Sequence, residues 1–176
     1  HPTLLVKSDV LASVGGWHNC AWPEDYDLML RLYRRGISFC SVDSPVLRWR
    51  QHKDRLTWKD SRYTEKAFTR CKVHHLRALL GPISDSVVIF GCGPVGKAFA
   101  LEFQRQGSTV RAFLEVNLRK IGKVIHGAPV MPISDASHLT GVPALGAVSG
   151  PEARKRIRDV ARAHGWFEGV NFFAVA

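Results

Sequence analysis

The sequence lacks a long apolar run and a cysteine framework. No uninterrupted apolar run approaches the ~20 residues of a transmembrane helix, and the first residues do not form a signal peptide. Four cysteines are present, without C-x-x-C or other ligand spacing: Cys20, Cys40, Cys71 and Cys92. This pattern favours reduced thiols in a cytosolic protein over disulfides or a metal centre.

Positive charge is in excess but is not concentrated in one block. The 176 residues carry 25 Lys and Arg against 15 Asp and Glu, a net charge of +10 that both halves share. Without a separate Lys/Arg block, no nucleic-acid partner is expected. A solvated basic face is the simplest interpretation, with anionic lipid or phosphorylated substrates as alternative partners. We therefore expect a cytoplasmic protein with, at most, peripheral contact with an anionic membrane.

Glycine and proline divide the chain into two halves. An apolar content of 45% in 176 residues suffices for one ordinary domain or two small ones. A long helix is predicted from about Ser61 to Leu80, and Gly81-Pro82 ends it because proline cannot continue the hydrogen-bond ladder. The sequence therefore predicts two domains, over residues 1–80 and 84–176.

The first half is predicted to contain short strands and a strongly amphipathic helix. Strands are expected over residues 4–6 and 37–42. The helix between them has Gly36 where a glycine follows a helix end. Its apolar residues share one face at i, i+3, i+4 and i+7: Tyr26, Met29, Leu30 and Tyr33. The buried face of the later 61–80 helix is expected to contain Ala67, Phe68, Cys71, Leu76 and Leu79.

The second half alternates strands and helices. Val87–Phe90 is a continuous apolar run, typical of a buried parallel strand. Further strands are expected over residues 109–114, 143–148 and 170–173, and helices over 95–106 and 151–164. This alternation predicts a parallel α/β sheet of the Rossmann-like kind.

A G-x-G-x-x-G loop joins the first of these strands to the first helix. Gly91 allows a tight turn, Gly93 lets a phosphate approach the backbone, and Gly96 lets the helix pack on the strand. The phosphates of a nucleotide are expected near Gly93 and Pro94, at a helix N-terminus. Glu115, at the end of the next strand, completes the predicted nucleotide-binding set. A nicotinamide-dependent oxidoreductase is one alternative, although no acid–base partner for hydride transfer follows downstream.

The segment after the second strand of this half is Phe113-Leu-Glu-Val-Asn-Leu-Arg-Lys-Ile-Gly-Lys-Val-Ile-His-Gly-Ala-Pro-Val130. It resembles the corresponding segment of the small Rossmann-like N-terminal domains of bacterial sugar acyltransferases, with an acidic residue, a Lys-Ile-Gly turn and a Gly-x-Pro-Val strand. The resemblance covers about residues 86–150 and implies binding of a nucleotide-sugar rather than redox chemistry. His126 is interpreted as a loop histidine satisfied by backbone, with ligand contact as the alternative.

Three acids stand together at the predicted helix start in Trp22-Pro-Glu-Asp-Tyr-Asp-Leu28. Acids in a first turn complement the helix dipole and its free N–H groups. The alternative is a catalytic carboxylate at the mouth of a site.

The neighbouring motifs favour the catalytic alternative, because the first half resembles the second half of a family 2 (GT-A type) glycosyltransferase over about residues 1–75. The matching segments are Val6–Trp17 with its Gly-Gly-aromatic turn, the Glu-Asp helix over 23–32, the strand over 36–42 and the Trp-Arg-x-His segment over 48–57.

The resemblance assigns roles to particular residues. Asp25 would be the general base that takes the proton of the acceptor hydroxyl, with Glu24 as runner-up, while Asp27 would cap or support the helix. His52 would be a metal ligand or contact near the diphosphate, with a plain loop role as the alternative. Substrate-binding residues would be Gly16, Trp17, Arg50 and Arg55, the two arginines pairing with phosphate oxygens.

The resemblance also predicts the larger context. The family's upstream nucleotide-binding half, with its Asp-x-Asp metal motif, has no counterpart here. The chain is therefore expected to be the C-terminal portion of a larger, inverting enzyme and to be inactive by itself. That enzyme would transfer a sugar from a nucleotide-sugar donor to a sugar or lipid-linked acceptor, with a Mn or Mg ion held mostly by residues outside this chain. The third hypothesis is a non-catalytic nucleotide-sugar binding module in the second half.

Overall fold

The computed structural model describes residues 3–176, except for the side chain of Leu56. The chain forms two compact units, residues 1–75 and 76–176, and the boundary falls within a helix. No helix among the described residues is both long enough and apolar enough to span a bilayer.

The first unit is built from helices. They are α1 (Ser8–Ser13), α2 (Glu24–Arg34), α3 (Leu56–Lys59) and the first part of α4 (Glu65–Leu80), with a 3-10 turn at Ser61–Tyr63. A small core joins α2 to α4: Leu28, Leu32, Ala67, Cys71 and Val73 are buried. The rings of Tyr26 and Phe68 meet edge to face at 5.3 Å between centroids.

The strands predicted over residues 4–6 and 37–42 do not form. A strand requires a neighbour that accepts and donates its backbone hydrogen bonds. Within the described part of the chain, residues 38–51 make no backbone–backbone hydrogen bond, and both Phe39 and Val42 are exposed. Alternating apolar residues are thus insufficient here without a paired strand.

The second unit is the predicted α/β sheet. Its strands are β1 (Ser86–Phe90), β2 (Thr109–Glu115), β3 (Val124–Ile125), β4 (Ala128–Pro132), β5 (Ala144–Gly146) and β6 (Phe172–Ala174). They lie in the order β3-β4-β2-β1-β5-β6. All neighbouring pairs are parallel except the short β3–β4 hairpin. The order reverses direction between β1 and β5, as in Rossmann-like folds.

Two helices and two 3-10 segments complete this unit. They are α5 (Pro94–Arg105), α6 (Pro151–Ala163), Gly81–Asp85 and Ile133–Leu139. The prediction of strand–helix alternation is correct for β1-α5-β2 and β5-α6-β6, but the β2–β4 connection carries the hairpin strand β3 instead of a helix. The last strand begins two residues later than predicted, because Phe167 O accepts the N–H groups of Val170, Asn171 and Phe172 in a turn.

The hydrophobic core of the second unit is built on the central strands of the sheet. Val88, Phe90, Ala112 and Leu114 on the central strands are buried. Trp166 packs edge to face on Phe90, with 5.4 Å between ring centroids. Strands that are buried on both faces read as continuous apolar runs, which is why the sequence identified β1 so readily.

Candidate functional site

The glycine loop follows β1 directly. Gly91 has φ +93 and donates its N–H to Leu114 O at 2.8 Å, so the chain leaves the sheet in a tight turn. A Cβ at Gly91 would lie 2.7 Å from Val148 Cγ1 and 3.2 Å from Ala147 O. Both its backbone conformation and its surroundings therefore require glycine.

Gly96 brings α5 against β1. A Cβ at this position would lie 2.0 Å from Gly91 O, far inside any normal contact. The first turn of the helix consequently packs against the loop backbone itself. This is the close helix–strand approach that the motif predicts.

Gly93 differs from both other glycines of the motif. It precedes the first residue of α5 with φ −74 and ψ −172, angles that any residue can adopt, and a Cβ there would meet nothing within 4 Å. Neither the fold nor the backbone geometry requires glycine at this position. The space beside it adjoins the first turn of a helix, whose N–H groups lack intrahelical partners.

Glu115 connects the end of β2 to this loop. Its Oε2 accepts the Cys92 thiol at 3.1 Å and the Cys92 N–H at 3.4 Å. Its Oε1 accepts the N–H groups of Val116 and Asn117 at 3.0 and 3.2 Å. Lys120 Nζ, on a 40% exposed side chain, lies 3.3 Å from Oε2.

These contacts set the ionisation of Glu115. Burial by itself would raise the pKa of Glu115, but the hydrogen bonds from Cys92, Asn117 and Val116 outweigh it and bring this pKa to about 2. The carboxylate is therefore charged at neutral pH. Burial, together with the same contact with Glu115, raises the pKa of the Cys92 thiol, which acts as a donor.

A second helix begins at the same edge of the sheet. Ala147 donates its N–H to Phe90 O at 2.9 Å, so the segments after β1 and β5 run side by side. Gly150, with φ +92, then precedes Pro151 and α6. The carboxyl ends of β1 and β5 flank the point where the strand order reverses, which is where ligands bind in open α/β sheets.

In the first unit, Asp27 lies at the centre of a buried hydrogen-bond network. Its Oδ1 accepts Trp22 Nε1–H at 2.9 Å and lies 2.9 Å from His75 Nε2. Its Oδ2 accepts Arg31 Nε–H at 2.7 Å. Burial would raise the pKa of Asp27, but the hydrogen bonds from Trp22, His75 and Arg31 outweigh it and bring the pKa to about 2.

The network also defines the proton on His75. Arg34 Nη1 lies 3.4 Å from His75 Nδ1 and can only donate, so Nδ1 accepts and Nε2–H donates to Asp27. Burial lowers the pKa of His75, and the hydrogen bond to Asp27 offsets this only in part. His75 is thus neutral, with the proton on Nε2.

Asp27, Cys71 and His75 form a compact group of potential metal ligands, with their ligand atoms within 4.8 Å of one another. His75 Nε2 and both carboxylate oxygens of Asp27 are already engaged in hydrogen bonds of the network. Burial also raises the pKa of the Cys71 thiol. The group is accordingly explained as a structural network that joins α2 to α4.

Glu24 and Asp25, the two candidate catalytic acids, lie at the start of α2 beside Tyr63. The Tyr63 hydroxyl donates to Glu24 Oε1 at 3.2 Å, and Arg62 Nη1 lies 3.7 Å from Glu24 Oε2. Asp25 Oδ1 accepts the Tyr26 N–H at 2.7 Å, a contact of the helix-start kind. Burial and then the charges of Glu24 and Asp25 raise the pKa of Tyr63 to about 12.

The remaining predicted residues of the first unit make local contacts. Gly16 has φ +67 in the turn after α1, and Trp17 is 47% exposed. The Arg55 guanidinium lies 4.7 Å from the centre of the Trp49 ring and donates to Gln51. Arg50 and His52 are exposed, and His52 belongs to no group of three potential metal ligands among the described residues.

Several contributing residues were not assigned a role from the sequence: Trp22, Arg31, Tyr63 and His75. The i,i+4 spacing of Asp27 and Arg31 is a readable signal for an ion pair on one helix. His75 lies 48 residues from Asp27, and no local pattern connects the two.

Comparisons with known proteins yield only distant structural alignments. No protein-family model matches the sequence, and no curated protein matches it. Among solved structures, RSP, a Rex-family repressor, aligns at 18% identity over 58% of this chain with a TM-score of 0.44; the chain thus spans 58% of that protein.

Two further structures align in the same range. RSP in complex with β-NADH aligns at 15% identity over 99% of this chain and 89% of that chain, with a TM-score of 0.46. UDP-D-quinovosamine 4-dehydrogenase from Vibrio fischeri aligns at 20% identity over 52% and 77%, with a TM-score of 0.41. None of these alignments reaches a TM-score of 0.5, so the assignment of a Rossmann-like sheet rests on the strand order and glycine loop of this chain.

Proposed function

We propose that the second unit binds a nucleotide, with its phosphates at the N-terminus of α5. The observation that carries this proposal is Gly93. Packing explains Gly91 and Gly96, whereas a Cβ at Gly93 would extend into open space beside the first turn of the helix. Since neither packing nor backbone geometry requires glycine at position 93, the missing side chain suits a close approach of ligand to backbone. The free N–H groups and the dipole of the helix favour an anion there.

Glu115 supports the same proposal. Its carboxylate is ionised, lies against the loop through Cys92, and accepts hydrogen bonds in the position where an acid at the end of the second strand contacts ribose. Lys120 reaches Glu115 through a long, flexible side chain that is 40% exposed, unlike the backbone donors Val116 and Asn117. A ribose hydroxyl would replace Lys120 at Oε2 while the backbone donors stay in place.

The charge of Glu115 limits the class of nucleotide that this site can accept. Glu115 disfavours a phosphate on the ribose, because the two negative charges would repel each other. Nucleoside diphosphates, nucleotide-sugars and NAD(H) therefore remain as candidates. We place nucleotide binding ahead of hydride transfer. Binding requires only the glycine loop, whereas hydride transfer also requires an acid–base partner.

Titration calorimetry with NADH, NADPH and UDP-, GDP- and dTDP-sugars tests this proposal. We expect one class of ligand to bind, and Gly93→Ala to weaken it about tenfold or more without unfolding the unit. Glu115→Gln should weaken a ribose-containing ligand and leave inorganic pyrophosphate unaffected. NADH binding alone would favour the oxidoreductase, and nucleotide-sugar binding alone the binding module. Absence of binding to every ligand would contradict the proposal.

A second candidate function, glycosyl transfer, concerns the first unit. The favouring observation is that the three acids of α2 have different environments. Asp27 is locked in the buried network, whereas Glu24 and Asp25 are half-buried near Tyr63. Asp25 would accept the proton of an acceptor hydroxyl as its oxygen attacks the anomeric carbon, with Glu24 as runner-up.

The divalent cation that the resemblance implies would be held mostly by residues outside this chain, with His52 as the candidate ligand within it. His52 is exposed and belongs to no group of three potential metal ligands among the described residues, and the Asp27 group is engaged in its own hydrogen-bond network. The proposed role in glycosyl transfer therefore uses the Asp25 carboxylate alone.

Paired variants of the full-length gene product test glycosyl transfer. Asp25→Asn should lower turnover about 10²–10⁴-fold with little change in melting temperature, because the amide cannot take a proton. Asp27→Asn, by contrast, should act mainly by lowering the melting temperature, because Asp27 belongs to the buried network. A normal rate for Asp25→Asn would mean that this acid serves the helix start only.

A further inference from the structure

A basic aromatic segment, residues 45–59, belongs to the first unit and is exposed over most of its length. Its apolar side chains are unusually exposed: Val46 64%, Leu47 44%, Trp49 52% and Trp58 72%. Two tryptophans at more than half exposure within ten residues are costly to leave in water, because each offers a large apolar area. Such a patch marks an interaction surface rather than ordinary scatter.

The same segment carries a local excess of positive charge. It contains five basic residues and one acid: Arg48, Arg50, Lys53, Arg55 and Lys59, with Asp54. Asp54 pairs with Lys59 at 2.6 Å, and Arg55 lies over the Trp49 ring. Arg48, Arg50 and Lys53 are exposed. Arg48, Arg50 and Lys53, close to Trp49 in the sequence, form no ion pair within the part of the chain that the structure describes.

We propose that the basic aromatic segment docks on an anionic phospholipid surface. Tryptophan rings sit at the boundary between headgroups and acyl chains, where one face is apolar and the other wet. Arginine and lysine side chains lie along the same boundary and reach the lipid phosphates. The combination of exposed tryptophans with local cations matches this surface on both counts.

Charge complementarity distinguishes lipid from a protein partner. The core of a protein–protein interface is enriched in arginine and tryptophan but depleted of lysine, which this segment carries at Lys53 and Lys59. In the basic aromatic segment, by contrast, cations are interleaved with the exposed apolar residues over residues 46–58. An anionic bilayer offers a continuous field of phosphates for these charges. The proposal is independent of nucleotide binding in the second unit.

Vesicle binding by the intact chain tests whether the cations of the basic aromatic segment attract it to anionic lipid. Vesicles of phosphatidylcholine containing about one-third phosphatidylglycerol should bind the protein, and pure phosphatidylcholine should not. Each cation near the surface is worth about fivefold in affinity, so Arg48→Gln/Lys53→Gln should weaken binding about 25-fold. The matched control is Lys155→Gln/Arg156→Gln on α6, with the same change in net charge. Equal weakening by the two pairs would overturn the proposal, because attraction would then be a property of the whole +10 chain.

Quenching by lipids with brominated acyl chains tests insertion of the tryptophans. Wild type should be quenched by anionic vesicles, and Trp49→Phe/Trp58→Phe should bind but lose most of the quenching. Quenching that persists in this variant would place the contact elsewhere. Inorganic phosphate at matched ionic strength should not displace the protein; selective displacement would indicate a phosphate pocket and overturn the lipid surface. Failure of wild type to bind anionic vesicles would also overturn it, and would leave a protein partner as the better explanation.

Discussion

His75 Nε2 lies 2.9 Å from Asp27 Oδ1, which joins α4 to α2 across 48 residues of sequence. Both side chains are about 5% exposed, so water cannot replace this hydrogen bond. Arg34 approaches the opposite ring nitrogen, and Arg31 and Trp22 hold the other positions of the carboxylate. The first unit is thereby organised around one ionised carboxylate and one neutral imidazole.

The stability of the first unit should fall as the pH falls below about 6.5. The pKa of His75 is lowered in the folded state, so the unfolded chain binds its proton at a higher pH than the folded chain does. The contribution is complete above the unfolded pKa and is lost toward the lower folded pKa, at up to 1.36 kcal/mol per pH unit. Urea unfolding followed by tryptophan fluorescence from pH 8 to about pH 5 measures it. His75→Gln should flatten this dependence, and an unchanged slope would contradict the assignment.

Asp27 affects the free energy of unfolding in a lower pH range than His75 does. Its pKa of about 2 lies below the ordinary value of 3.8, so its contribution is present above about pH 4 and lost as the pH falls toward 2. Asp27→Asn should cost about 3 kcal/mol or more at neutral pH, because Arg31 would then be buried without its counter-charge. Asp25→Asn is the matched control on the same helix and should cost about 1 kcal/mol or less. Equal losses from the two variants would mean that the network does not depend on the charge of Asp27.

The two glycines at the start of α5 should differ in how much stability a methyl group costs. Gly96→Ala places a Cβ 2.0 Å from Gly91 O, a backbone atom that cannot turn aside. We expect a loss of about 2–3 kcal/mol or more in unfolding free energy. Gly93→Ala should cost less than about 1 kcal/mol, because its Cβ enters open space. Thermal unfolding of both variants, with circular dichroism to confirm the fold, decides whether the loop packs as described.

Trp166 should be the most sensitive aromatic residue of the second unit. Its Nε1–H donates to Val142 O at 2.6 Å, and its ring is buried against Phe90. Trp166→Phe removes the donor and leaves both a small cavity and an unpaired carbonyl, so a loss of about 2–4 kcal/mol is expected. The neighbouring Phe167, which is 51% exposed, is the control. Denaturant unfolding should show that Phe167→Ala costs less than about 1 kcal/mol; a larger loss than for Trp166→Phe would contradict this packing.

The parts of the fold that were predictable depend on short-range rules. Gly91 requires a left-handed backbone immediately after a strand, and Gly81-Pro82 ends a helix, whatever lies elsewhere in the chain. The apolar run Val87–Phe90 is recognisable because a central parallel strand is buried on both faces. The predicted strand over residues 37–42 was wrong for the complementary reason: a strand needs a paired neighbour, which the described residues do not supply.

The sequence by itself determined the order of strand, glycine loop and helix, and the clustering of three acids at the start of α2. Each of these depends on backbone geometry or on residues within a few positions of one another. Only the tertiary structure decided which acid is buried, because the partners of Asp27 come from α2, the preceding loop and the distant His75. It also decided that Glu115 contacts Cys92, since two parallel strands bring the segments together across 23 residues. A carboxylate acquires its charge state and role from neighbours that only the folded chain assembles.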